Sequence, residues 1–91
     1  MTSEDATPHV GKLIKAALDD KHLSQAYAAL MMGISAKHLN RIIMAESGIS
    51  AELALKFERL TGYPAKILMR MQADHQVEIA ILKELLRKDA G

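Results

Sequence analysis

The sequence predicts an all-α fold of five helices, the last of them long. Three observations carry this. Apolar residues recur at i, i+3, i+4 and i+7 in successive segments, the repeat of a helix with one buried face. Serine, glycine and proline punctuate those segments where helices begin and end. The only aromatic residues are Tyr27, Phe57 and Tyr63, so leucine, isoleucine, alanine and methionine must fill the core, and these suit helices. Ninety-one residues are enough for one core and too few for two.

Residues 1–6 are polar and acidic, and a disordered N-terminal segment is expected there. Thr7 is then placed to cap a first helix, with Pro8 at its first position. Val10, Leu13, Ile14, Ala17 and Leu18 form its apolar stripe, and Lys12, Lys15 and Asp19 face away. It should end near Asp20-Lys21. A second helix runs from about Ser24 to Met32 and stops at Gly33, which takes a left-handed backbone at no steric cost. Ser35 can cap a third helix reaching about Met44, because its hydroxyl accepts an otherwise unpaired N–H of the first turn. The small Ala29 lets that third helix pack close against the second. Gly48 breaks the chain after it, and Ser50 caps a fourth helix over 51–61, with Glu52 well placed for the helix dipole. Leu53, Phe57 and Leu60 are its expected buried stripe, and Gly62 its stop. Pro64 opens the fifth helix, expected to about Lys88, with Ile67, Leu68 and Met71 buried in its first half.

The stretch Gln25–Met44, QAYAALMMGISAKHLNRIIM, holds the most information about function. On its second helix Leu39, Ile42 and Ile43 share one side, and Lys37, Asn40, Arg41 and Met44 the other, at ~100° per residue. Two cations and an amide at these spacings are the residue types that grip phosphates and read base edges. Short helix, tight turn and polar-faced second helix form the layout of a helix-turn-helix over residues 25–44, the second helix lying in a major groove. A helical hairpin with a merely solvated charged face is the plainer alternative. The net charge of +1 says little, but its distribution says more. Between Asp20 and Glu46 there is no acidic residue, while Lys21, His22, Lys37, His38 and Arg41 lie inside that window.

The tail of the fifth helix is unusual. Val77, Ile79, Ile81, Leu82, Leu85 and Leu86 spread over roughly 200° of its surface, where a helix covered on one side needs an arc of only ~100° or somewhat more. The excess either folds back onto the chain's own core or forms a surface for a second subunit or another protein. The expected organisation is thus a helix-turn-helix domain over 7–76 and an interaction extension over 77–91.

Other chemistry is poorly provided for. His9, His22, His38 and His75 are scattered, with no His-x-x-x-His pair and no cysteine, so capping or surface roles are expected and no metal site. No glycine-rich phosphate loop or Gly-x-Ser-x-Gly elbow is present, and Asp19-Asp20 sits at a helix end beside lysine. The five internal methionines are expected as gap-fillers in core or interface. The expectation is a non-enzymatic protein without cofactor. The absence of cysteine, of an apolar leader and of any apolar run near ~20 residues suits a cytoplasmic protein that crosses no membrane.

From His9 to about Gln76 the sequence resembles the HigA-type antitoxins, a branch of the Cro/C1 (xenobiotic-response-element, XRE) repressor-like helix-turn-helix family. The pieces that carry the resemblance are HVGKLIKAAL, LSQAYAALMMGISAKHLNRII, GISAELALKFERLTG and YPAKILMRMQ. It implies a five-helix lambda-repressor-like domain, a homodimer on a palindromic operator, repression of its own operon, and a RelE-like toxin as partner. It implies DNA contacts by Gln25, Ser35, Ala36, Lys37, Asn40 and Arg41. Ser24, at the N-terminus of the second helix, is an expected phosphate-positioning residue, and His38 joins the candidate DNA-facing set. Ala29, Gly33, Ile34, Leu39 and Ile42 carry over as structural positions. The chain departs from the family after the reading helix, where Met44-Ala45-Glu46 replaces the usual Asn-Gly-Lys, and early in the last helix, where Ile67-Leu68 replaces an aromatic pair. A protein-binding module that keeps the fold without DNA binding, or a phage or prophage repressor without a toxin, stands as the alternative.

Overall fold

The computed structural model describes the backbone of residues 9–90 and the side chains of 9–87. Five helices follow one another: α1 (Val10–Asp20), α2 (Gln25–Met32), α3 (Ala36–Ile43), α4 (Ala51–Thr61) and α5 (Ala65–Ala90). No strand occurs among the described residues. The fold is all-α.

Three of the starts use one device. Ser24, Ser35 and Ser50 each hold an extended backbone, and their hydroxyls accept the N–H of Tyr27, His38 and Leu53 at 3.0, 3.0 and 3.2 Å. α1 differs from the expectation. Its cap is His9, whose Nδ1 accepts the Gly11 N–H at 3.1 Å; Thr7 and Pro8 lie outside the described residues. α5 begins at Ala65, one residue after Pro64, and Glu58 of α4 accepts the Ala65 N–H at 2.8 Å, an anion at a positive helix end.

The first three helix ends also share a device. In α1 the N–H groups of Leu23 and His22 return to the carbonyls of Leu18 and Asp19; Ile34 and Gly33 do the same for Ala29 and Leu30, and Glu46 and Ala45 for Arg41 and Ile42. This paired closure needs a left-handed residue at its centre. Those residues are His22 (φ 57°), Gly33 (φ 73°) and Ala45 (φ 64°). The turn after α3 is therefore made by Ala45 and not by Gly48. Gly48 instead lies beside the Gln72 amide, which ties the loop to α5 by accepting from Ile49 N–H at 2.7 Å and donating to Ile49 C=O at 2.9 Å.

One core joins the helices. Ile14 and Leu18 of α1, Ala28, Ala29 and Met32 of α2, Leu39 and Ile42 of α3, Phe57 of α4 and Leu68 of α5 are all within 2% of complete burial. Leu53 and Leu60 are only half-buried, and Ala54 is the fully buried residue beside Phe57. Ile67, expected inside, is exposed, and Met71 is half-buried. Of the methionines, Met32 is core, Met69 and Met71 are half-buried, and Met31 and Met44 lie at the surface. Among the described residues Thr61 is the buried polar one; its hydroxyl donates to Phe57 C=O and accepts from Tyr63 N–H, so it is satisfied. α1 packs on α3 and α5, α2 on α3 and α4, and α4 on α5. Gly11 lets α1 approach α3: a Cβ there would collide with the Ile43 carbonyl oxygen and stand 2.6 Å from its carbon. α5 outruns the rest and stretches the molecule to 47 × 28 × 22 Å.

Candidate nucleic-acid interface

α2 and α3 pack together through Ala28, Ala29 and Met32 on one side and Leu39, Ile42 and Ile43 on the other, with Gly33 at the corner. That packing fixes which face of α3 is left outside. Lys37, Asn40 and Arg41 stand exposed there with Met44, while Leu39, Ile42 and Ile43 are buried. Ser35 and Ala36 are exposed at the N-terminus of the same helix. His38 lies on the flank, half-buried, and Gln25 is half-buried at the start of α2. Ser24 is exposed before it. The eight candidate residues thus fall on the N-termini of α2 and α3 and on one exposed face of α3.

Both helix starts are equipped for anions. Each serine hydroxyl takes up the third N–H of its helix, leaving the first two, those of Gln25 and Ala26 or of Ala36 and Lys37, without an intrahelical acceptor. Neither first turn carries an acid. Unpaired N–H groups at the positive end of a helix are a ready site for a phosphate oxygen. Arg41 offers a planar fork that fits guanine, Asn40 an amide that fits adenine, and Lys37 a flexible point charge. Glu46, exposed just beyond α3, is the opposing charge.

The six apolar tail residues are all exposed, between 38% and 68%, so the tail does not fold back onto its own core. They form two strips at ~100° per residue. Ile79, Leu82 and Leu86 prolong the line of Leu68, Gln72 and His75, by which α5 faces its own domain. Val77, Ile81 and Leu85 lie on a second side. One further contact has no local signature in the sequence. His9 and His75, 66 residues apart, meet with ring centroids 5.9 Å apart at 50°. His75 Nδ1 is buried without a hydrogen-bond partner among the described residues. The His9 imidazole is held below its usual pKa of 6.5, first by burial, then by His75 and Lys12. Beside the pair opens a cavity of about 200 Å³, lined by Ile42, Glu46, Gln72, Gln76 and Ile79 among others. No group of three or more potential metal-binding side chains occurs among the described residues, and no described helix is long and apolar enough to cross a membrane.

The model of a helix-turn-helix family, HTH_3, matches residues 14–68, more than half of the chain. The chain belongs to this family, the Cro/C1-type (XRE) helix-turn-helix proteins, and has the fold of a DNA-binding regulator. Among solved structures it is similar to a protein of Nostoc punctiforme described as a candidate antidote protein of a plasmid maintenance system. The identity is 19%, the coverage 92% of both chains and the TM-score 0.84, a likeness of fold. It is also similar to the Pseudomonas aeruginosa protein PA4674 in complex with operator DNA. With an 18-bp operator the identity is 27%, the coverage 81% of both chains and the TM-score 0.73. With a 28-bp operator they are 25%, 87% of this chain and 88% of that one, and 0.77. No curated protein matches the chain significantly.

Proposed function

We propose that this chain is a sequence-specific DNA-binding repressor, the HigA-like antitoxin of a toxin–antitoxin pair, acting as a homodimer on its own operon. The observation that carries the reading is the exposed, acid-free face of α3, where Lys37, Asn40 and Arg41 stand beside two serine-capped helix starts. The similarity to a protein solved on its operator supports it. Each subunit lays α3 in a major groove, with Ser24, Gln25 and Ser35 positioning the backbone and Arg41, Lys37 and Asn40 reading bases. Ala36 approaches without a hydrogen bond, and His38 borders the contact. Two copies then span half-sites about 34–36 Å apart. So few cations per subunit bind weakly alone, which makes pairing through the tail part of the mechanism. A RelE-like ribonuclease toxin is the protein partner that the family resemblance supports.

A second reading, a module of the same fold that binds protein and not DNA, is favoured by Glu46, the acid at the C-terminus of the reading helix. Titrating a duplex from upstream of the protein's own reading frame at increasing salt separates the two. The repressor reading expects log K to fall with log salt at ~0.9 per phosphate contact. Undetectable binding at low salt sinks it in favour of the module.

A further inference from the structure

Met44 stands on the outward face of α3 with Lys37, Asn40 and Arg41, and it is 59% exposed. A large apolar side chain in the middle of a polar face is the anomaly of this surface. At ~100° per residue Met44 falls between Asn40 and Arg41, one turn beyond Asn40. Its N–H still donates to Asn40 C=O at 2.9 Å, so the helical line is kept as far as Met44. Ala45 then turns the chain with a left-handed backbone, and Glu46 N–H returns to Arg41 C=O. Met44 is therefore the last side chain of the face. Its neighbours Ile42, Ala45 and Glu46 line the cavity beside His75, and Met44 does not. Resting on the repressor reading, we infer that Met44 is a specificity-determining residue that packs its thioether side chain on the 5-methyl group of a thymine in the operator.

Chemistry selects that target. A thioether has no N–H or O–H to give and is only a weak acceptor, so it neither grips a phosphate nor reads the donors and acceptors of a base edge. The thymine 5-methyl is the apolar group that a base pair presents in the major groove. Asn40 selects the same kind of pair. An asparagine amide fits N6 and N7 of adenine, and the thymine opposite that adenine carries its methyl on the same groove edge. The spacing agrees. Four residues at 1.5 Å each put Met44 about 6 Å beyond Asn40, less than two steps of about 3.4 Å between bases. Three rotatable bonds let its side chain settle on a methyl within that range. The contact also takes out of water an apolar side chain that the free chain leaves exposed. Ala36, the other apolar residue of this face, is exposed two turns back at the start of α3, about 12 Å from Met44 along the helix. A methyl contact of its own would fall on a different base pair.

Deoxyuridine isolates the group in question, because it lacks the 5-methyl of thymine and keeps every hydrogen-bonding atom. The duplex from upstream of the protein's own reading frame is footprinted, and each thymine of the protected half-site is replaced by deoxyuridine, one at a time. The expected result is one position, within two base pairs of an adenine, at which binding weakens about fourfold, the value of one buried methyl group. With Met44→Ala the same replacement should cost nothing, the two changes removing one shared contact. Met44→Leu, apolar and of similar size, should keep the difference, and Met44→Gln, of similar length but polar, should lose it. Met44 is exposed, so all three variants should keep the parent's Tm. If no replacement weakens binding, or if every loss persists undiminished in Met44→Ala, the inference is overturned while the repressor reading stands. A chain that binds no duplex at low salt overturns both.

Discussion

Ile14, Leu18, Leu39 and Leu68 lose all but 1% or less of their exposure, whereas Ile79, Leu82 and Leu86, the same residue types at the same helical spacing, keep 38–68%. The difference lies in what stands opposite. Each residue of the first group meets a second helix, held in place by a cap at its start and a closed last turn at its end. The strip beyond His75 has no second helix opposite it among the described residues, and only Ile79, at the cavity, is partly sheltered. At ~1.5–3 kcal/mol for each large apolar side chain fully buried, the tail withholds from the monomer a stabilisation comparable with that of several core residues. A helix-turn-helix built this way is complete as a fold before it is complete as a reader. On the homodimer proposed above, the packed half supplies the fold and the tail sets how far apart two reading helices are held.

The sharpest way to break the packed half is Gly11→Ala. In an unhindered helix this change stabilises by ~1 kcal/mol. Here the new Cβ meets backbone of Ile43, which cannot move without shifting α3. The expected result is a loss of ~1–3 kcal/mol or more in urea unfolding, the sign being the test. A gain in stability would show that α1 and α3 are not so close.

The corresponding change in the open half is Leu82→Asp. Leu82 is 54% exposed in the single chain, so thermal unfolding of the monomer should move by no more than ~0.5 kcal/mol. Mass by light scattering should fall to that of one chain, and operator binding should weaken at least tenfold. Unchanged mass and binding would assign the pairing surface elsewhere. Between the halves, Arg41→Ala tests the reading face itself. Its loss should be greater on the operator than on random duplex by ~1–3 kcal/mol, and equal losses would reduce Arg41 to a phosphate contact.

A smaller change sharpens the picture of the packed half. Ala45 holds the left-handed position after α3, at φ 64°, a backbone conformation that crowds any residue with a Cβ. Ala45→Gly should therefore stabilise by up to ~1 kcal/mol, seen as a higher Tm. A lower Tm would mean that the extra backbone freedom of glycine outweighs the relieved strain.

How much of this was legible follows from range. Ser35 and Ser50 were readable as caps, Ser24 as the start of a helix, and Gly33 and Gly62 as stops, because each acts on atoms within a few residues of itself. The outward face of Lys37, Asn40 and Arg41 was readable because helical spacing fixes it. Ala45 was missed because nothing in alanine announces a left-handed backbone, and Gly48 drew the turn three residues too far. The contacts of Gly11 with Ile43, of Gln72 with Ile49 and of His9 with His75 depend on where helices cross, which no local pattern encodes. The candidate reading face was therefore visible before the fold, and the cavity beside it was not.

That cavity makes the junction of the two halves sensitive to pH, with the smallest effect expected because His9 is only half-buried. Its Nδ1 must stay unprotonated to accept the Gly11 N–H. Burial, His75 and Lys12 hold its folded pKa below the 6.5 of the open chain. The unfolded chain thus binds the proton more readily. The resulting stability is fully present above about pH 6.5 and is lost as pH falls through the lower folded value. Tm should drop between about pH 7.5 and about pH 5.5, a window above most carboxylate titration. His9→Asn, which keeps a capping acceptor that does not titrate, should flatten that drop. If the variant's Tm falls as steeply as the parent's, the pH dependence arises elsewhere and His9 is only a cap.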